Sequence, residues 1–226
     1  MFKLTPIVLF VLYSWLYLRF SVWQTNRALN QQSQPLDDPA LRPVLVKLAQ
    51  ALDLPRIIVH LHKIPQINGL AAPDGRIFIT QGFIDKLRLG QVTDTEIASV
   101  IAHELGHVAL THSRRRMVDF GVQNAARAVL MGVIGRFIPF IGPWIANMVV
   151  GLLSARLSRQ DEFEADEYAS ALLIKAGIGT GPQISLFEKL DTLAGGANTT
   201  PAWLLSHPKT PERIAAIKRN TAKWGC

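Results

Sequence analysis

The sequence predicts an α+β fold: a mostly helical domain with one small sheet, set behind an N-terminal apolar helix. Three observations carry this. A nearly unbroken apolar run, residues 5–23, opens the chain. Residues 93–109 repeat apolar side chains at helical spacing behind a helix-start signal. The β-branched apolar runs, residues 56–62 and 76–80, are short. The 226 residues suit one domain, with no internal repeat or low-complexity tract.

The opening run is interrupted by Ser14, Arg19 and Ser21. A spanning helix needs about 20 apolar residues, and an arginine near one end can snorkel. Tyr13, Trp15, Tyr17 and Trp23 enrich the run in interface-loving aromatics. Residues 1–23 are therefore expected to form a single-pass anchor in the cell membrane. A cleaved signal would need small residues at its end, and 22–29 offer none in the A-x-A pattern. Residues 24–38 are expected to be a polar linker and 39–226 the folded domain. Lys3 flanks one side of the anchor and Arg19 and Arg27 the other, close to a tie under the positive-inside rule. The short N-terminal tail tips the expectation toward an extracytoplasmic, periplasmic domain.

A net charge of +7 and a pI near 9.9 suit an anionic lipid surface as partner. The basic residues are scattered, apart from Arg114-Arg115-Arg116, and carry no interleaved stacking aromatics, which excludes a nucleic-acid partner. The one cysteine, Cys226, permits no intrachain disulfide.

Inside the domain, 56–62 and 76–80 read as strands, with Pro73-Asp74-Gly75 as a turn between them. His60 and His62 share one strand face and read as ordinary strand histidines. Asn68 lies between the strands, where a turn-forming role is the plain reading. Thr93-Asp94-Thr95-Glu96 is a capping box that starts a helix. Around that helix Ile97, Val100, Ile101, Leu105 and Val108 form an arc of large apolar residues, and Ala98, Ala102, Gly106 and Ala109 an arc of small ones. Such a helix packs on both sides. Residues 128–155 form a second apolar region, interrupted by Arg136 and broken at Pro139, Gly142 and Pro143. It suits two short helices, either roofing the domain or dipping into the bilayer surface; its length argues against two full spans. Thr210-Pro211-Glu212 opens the last helix, with proline at its first position, which puts His207 in the entering loop.

His103-Glu104-Leu105-Gly106-His107 is the stretch that points to chemistry. Histidines four apart on a helix lie about 40° apart around its axis, so both rings reach one metal ion. The intervening glutamate can serve as general base on a water, the H-E-x-x-H pattern of zinc metallopeptidases. Glu104 falls inside the large apolar arc, where an unused carboxylate is costly. Zinc needs a third protein ligand and an open position. His112 is out of register for the extended pattern, which would need glycine at Leu110 and histidine at Ser113, so it reads as a solvated residue. Glu162 and Asp166, four apart in Ser158-Arg159-Gln160-Asp161-Glu162-Phe163-Glu164-Ala165-Asp166, share a helix face. One could ligate and the other orient a ligand ring. The alternative is an acidic helix N-terminus favoured by the macrodipole, which accounts for Asp161 and Glu164; spacing alone leaves the two open. No fourth protein ligand is evident.

H-E-L-G-H, a long apolar insertion and S-R-x-x-E-F-E-A-D together resemble the integral-membrane zinc metallopeptidases, gluzincins that include CAAX prenyl endopeptidase, the HtpX protease and periplasmic relatives. The resemblance runs from near Pro39 to the C-terminus. It implies a zincin-like fold, one Zn2+ per chain held by His103, His107 and Glu162, and catalysis by Glu104 with Asp166 behind a ligand histidine. Asn68-Gly69-Leu70-Ala71-Ala72-Pro73-Asp74-Gly75-Arg76-Ile77 resembles the family's N-A-x-x-x-P-x-G-x-I stretch, with Gly69 where alanine is usual, a small change; Asn68 would then hold the substrate main chain. Ser206-His207-Pro208 resembles its S-H-P motif, with His207 facing the oxyanion. The implied activity is a membrane-anchored zinc metalloendopeptidase of protein quality control, acting on unfolded or membrane-associated polypeptides. The competing expectation is a non-catalytic chaperone or assembly factor with a vestigial zinc site.

Overall fold

Residues 5–112, 115, 142–193, 202–208 and 210–225 are described by the structure, a computed structural model. Helix α1 (Thr5–Gln31) leads into β1 (Ser33–Pro35), then α2 (Arg42–Ala51), β2 (Val59–His62), β3 (Gly69–Ala71), β4 (Ile77–Thr80), α3 (Gln81–Arg88) and α4 (Asp94–Ala109). After it come α5 (Gly142–Lys175), α6 (Gly181–Leu193), α7 (Ala202–Ser206) and α8 (Pro211–Trp224). Helices dominate and the sheet is small, as the sequence predicts.

The sheet has the order β1-β2-β4-β3, with β2 and β4 parallel and the two outer strands antiparallel to their neighbours. β4 is buried throughout because both its faces are covered. Ile77 and Ile79 join the main core, and Phe78 packs with Leu29 and Ala72 beneath the end of α1. The turn at 73–75 joins β3 to β4, with Gly75 at φ 87, a value that favours glycine. β3 escapes prediction because Gly69, Leu70 and Ala71 carry no β-branched residue.

The N-terminal segment differs from expectation. α1 runs on to Gln31, into the residues read as a linker, and Ser33–Pro35 pairs with β2. Among the described residues no helix is long and apolar enough to cross a membrane. Leu12, Trp15, Leu16, Phe20 and Trp23 are nevertheless exposed along α1. Of the second apolar region, residues 128–141 lie outside the described residues. The rest forms a single helix, α5, with the acidic segment, and Pro143 falls in its first turn, where a missing N–H is tolerated. Asp161 and Glu164 are therefore mid-helix residues, and the macrodipole reading does not apply to them.

α4 lies across the centre, and its capping box is complete. Glu96 N donates to Thr93 Oγ1 at 3.1 Å and Thr93 N to Glu96 Oε2 at 2.9 Å. The other oxygen of Glu96 ties α4 to α6 through Ser185 Oγ at 2.6 Å and Lys189 Nζ at 2.7 Å. α4 packs against α5 where Gly106 meets Ala165. A methyl at Gly106 would stand 3.1 Å from both Cα and O of Ala165. This close approach sets His103 and His107 opposite Glu162 and Asp166. The predicted two-sided burial of α4 holds from Glu96 to Glu104; Ala109 at its end is exposed.

Candidate metal centre

The site forms where α4, α5 and the loop into α8 meet. His103, Glu104, His107, Glu162, Asp166 and His207 are all buried there. Nε2 of His103 lies 3.1 Å from Nε2 of His107 and 3.4 Å from Glu162 Oε2, and His107 Nε2 lies 3.6 Å from Glu162 Oε1. Behind the first ring, Asp166 Oδ1 takes His103 Nδ1 at 3.0 Å. That nitrogen carries the proton, so Nε2 presents its lone pair to the cluster. Two ring nitrogens and a carboxylate turned toward one point form a donor set that suits a divalent cation such as zinc.

The site also attracts protons. Burial disfavours a charged His103, but with no cation between them the hydrogen bonds to Asp166 and Glu162 outweigh burial and raise His103 to about 9, so a cation at Nε2 displaces that proton. Burial would raise the Glu162 carboxyl, yet His103 and His207 hold it far below the usual carboxylate range. Asp166 is likewise held low, against burial, by Arg213 and His103.

His207 departs from the expectation of three protein ligands. Its Nδ1 sits 2.8 Å from Glu162 Oε2 and 3.2 Å from His103 Nε2, so four residues bring ligand atoms within 4.8 Å of one another. Its Nε2 lies 3.4 Å from Glu104 Oε1. The same oxygen of Glu104 accepts from Trp203 Nε1 at 3.4 Å.

Arg213 carries a role the sequence reading missed. Its side chain is 2% exposed and meets Asp166 twice, Nε to Oδ2 at 2.6 Å and Nη2 to Oδ1 at 2.9 Å. Nη1 reaches Glu162 Oε2 at 3.3 Å and donates to Pro208 O at 2.9 Å. Asp166 thus faces a guanidinium on one side and the His103 ring on the other. The signal was the polar residue Arg213 one helical turn past the Thr210 cap, on the inward face with Ile217.

His112, read as solvated, is buried against His107 and Glu164. His60 stacks on Phe78 and neither it nor His62 joins a metal-binding group among the described residues. Asn68 borders a cleft of about 170 Å³ shared with Gly69, Glu104, His107 and His207. Its Oδ1 is inaccessible and has no hydrogen-bond partner among the described residues. Gly69 is not the small change the resemblance makes it: an added methyl would lie 2.5 Å from Val100 Cγ1, so alanine needs Val100 to turn away.

A helix-borne histidine pair, a carboxylate from a second helix and a buried glutamate beside them form the arrangement expected of the metallopeptidase class. The chain matches the model of peptidase family M48 over residues 35–221 and belongs to that family. It is 33% identical over 156 residues to metalloprotease YcaL of Escherichia coli K12, covering 69% of this chain and 59% of YcaL. Identity to metalloprotease LoiP of the same organism is 31% over 152 residues, covering 67% and 58%. Identity to protease HtpX of Pseudomonas entomophila is 28% over 181 residues, covering 65% and 58%. The chain spans under two-thirds of the length of these relatives.

Proposed function

We propose that the chain is a zinc-dependent, membrane-attached metalloendopeptidase that cleaves unfolded or membrane-associated polypeptides, with one Zn2+ held by His103, His107 and Glu162. One observation carries this reading. Three donor groups converge while the buried carboxylate of Glu104 stands beside them, and a purely structural site has no use for that carboxylate. Bound zinc would supply Lewis acidity, easing ionisation of water and polarising the scissile carbonyl. Glu104 takes the proton of the attacking water and passes it to the leaving amine. The Trp203 N–H holds Glu104 Oε1 in place for both transfers. Asp166, backed by Arg213, keeps the His103 ring oriented. His207 offers an N–H to the developing oxyanion.

β3 is the outer strand of the described sheet on the side of the cleft. An extended substrate adds to its outer edge, and Asn68, which borders the cleft, steadies the substrate main chain. α1 attaches the domain to an anionic membrane, with the domain on the extracytoplasmic side. Its exposed row of Leu12, Trp15, Leu16, Phe20 and Trp23 supports this, as do Arg19 over Trp15 and Arg27 over Trp23.

The test is metal analysis with casein cleavage for wild type and Glu104→Gln. Stoichiometric zinc is expected in both and cleavage in the wild type alone; equal cleavage removes Glu104 from the mechanism. Glu162→Ala should lose zinc, and retained tight binding refutes its role. One observation favours the non-catalytic reading: His207 lies within the donor set and would close a four-ligand site. Under that reading the wild type binds zinc and cleaves nothing.

A further inference from the structure

His112 is 1% exposed, although it lies beyond the end of α4. The backbone brings it back. Leu110 N and Thr111 N still donate into α4, to Gly106 O at 2.9 Å and Val108 O at 3.1 Å, and Thr111 then takes φ 55. A β-branched residue rarely adopts this left-handed conformation, which costs on the order of 1–3 kcal/mol and is kept where the surroundings demand it. The turn lays the His112 ring against that of His107, with centroids 4.9 Å apart at 70°. Nδ1 of His112 then lies 2.8 Å from Nδ1 of His107, and Nε2 of His112 lies 3.1 Å from Glu164 Oε2. Glu164 is itself held by Gln160 Nε2 at 2.8 Å and Arg115 Nη1 at 3.1 Å.

The protons follow from these partners. A ring nitrogen facing a carboxylate carries hydrogen, so Nε2 of His112 is an N–H. A neutral imidazole has one N–H, which leaves Nδ1 of His112 as an acceptor. The 2.8 Å contact needs one proton, so His107 Nδ1 supplies it. Nε2 of His107 is then bare, and it is the atom turned toward His103 and Glu162. We infer that His112 and Glu164 are positioning residues that lock His107 in its Nε2-donor tautomer and ring orientation, as Asp166 does for His103. The inference rests on the reading of His107 as a zinc ligand. A second cation among His112, Asp161 and Glu164 is not needed to join them, since Arg115 Nη1 already meets both carboxylates, at 3.3 and 3.1 Å.

The test measures Zn2+ affinity of the full chain by competition with a chromophoric chelator, for wild type, His112→Ala, His112→Asn and Glu164→Ala. Asparagine returns an acceptor oxygen close to the place of Nδ1. His112→Ala is expected to lose about 10–100-fold in affinity, as loss of a ligand's outer hydrogen-bond partner does. His112→Asn should recover most of that loss. Glu164→Ala, at a half-exposed position that leaves the core intact, should show a smaller loss in the same direction. Nitrogen-15 NMR of the zinc-loaded wild type should find the His107 proton on Nδ1 and the His112 proton on Nε2. Wild-type affinity in both His112→Ala and Glu164→Ala, or a His112 proton on Nδ1, overturns the relay. If His112→Ala fails to fold, His112→Asn, Glu164→Ala and the NMR assignment decide. Absence of zinc binding by the wild type defeats the zinc reading and the relay with it; tight wild-type binding that these variants do not weaken defeats the relay alone.

Discussion

Arg213→Met removes a guanidinium that meets both Asp166 and Glu162 inside the protein. Asp166 and Glu162 are 1% and 2% exposed, and methionine fills much of the space without a charge or donor. Breaking a buried pair from one side costs about 3–5 kcal/mol, because the remaining charge has no water to return to. Three contacts shorter than 3.0 Å are lost here, two to Asp166 and one to Pro208 O. Against a total stability of roughly 5–15 kcal/mol this is a large fraction. For a chain of this size it lowers Tm by about 6–20 °C. The assay is thermal unfolding followed by circular dichroism at pH 7, with and without Zn2+. Zinc should narrow the gap, since its charge offsets the carboxylates that lose the guanidinium. In the Arg213→Met background, Asp166→Asn should restore part of the loss: the amide oxygen still accepts from His103 Nδ1, and one uncompensated charge is gone. A melting point within about 2 °C of wild type, with zinc affinity unchanged, would refute the idea that Arg213 holds Asp166 in register behind the His103 ring.

Gly106→Ala gains up to about 1 kcal/mol of helix propensity but must push the Ala165 backbone, which cannot turn aside, at an overpacking cost of about 1–3 kcal/mol. Net destabilisation by urea unfolding and weaker zinc binding are expected; a stabilised variant with intact affinity would mean α4 and α5 separate freely. Glu96 is held below its usual pKa, against burial, by Lys189, Ser185 and the Thr93 N–H. Its charged form is favoured by folding, so its stabilisation is full above the unfolded value near 4.3 and fades as pH falls below it. Glu96→Gln should therefore cost about 1 kcal/mol at pH 7 and approach zero cost toward pH 3 in urea titrations. Trp203→Phe keeps the ring packed on Phe187 but deletes the N–H to Glu104; kcat on casein should fall about tenfold with KM little changed, as for loss of one hydrogen bond to a charged group.

Whether a feature was legible in the sequence depends on how far its cause reaches along the chain. The start of α4 is legible because both halves of its cap lie within four residues, Thr93 to Glu96. The histidine pair is legible because helical spacing fixes it, and the Thr210 cap because Pro211 follows directly. Glu162 and Asp166 were legible as a pair, but the spacing could not tell a ligand face from a helix start. That choice depends on α5 beginning at Gly142, which the Gly142-Pro143 break obscured. β3 was missed because its strand character comes from pairing with β4 and from the Gly75 turn, and its side chains give no signal.

The misreading of His112 has a more particular cause. His112 reads as solvated because it is out of register for the extended zinc pattern, and register along the chain says nothing of how its ring packs. One dihedral, the positive φ of Thr111, reverses the outcome, and threonine gives no local sign of adopting it. The compensation lies about fifty positions away on α5, in the Glu164 carboxylate and its own partners. Arg213 repeats the pattern from the other end of the chain, since an arginine after a helix cap reads as surface until Asp166 lies across from it. In both cases the donor set itself was visible in the sequence, and the groups that aim it were not. A ligand must carry a particular atom, which restricts its residue type and spacing. A group that steadies the ligand from behind needs only a hydrogen-bond partner in the right place, which many residues can supply from many positions. The tertiary fold alone decides which one does, so the residues around His103 and His107 had to be found in the structure.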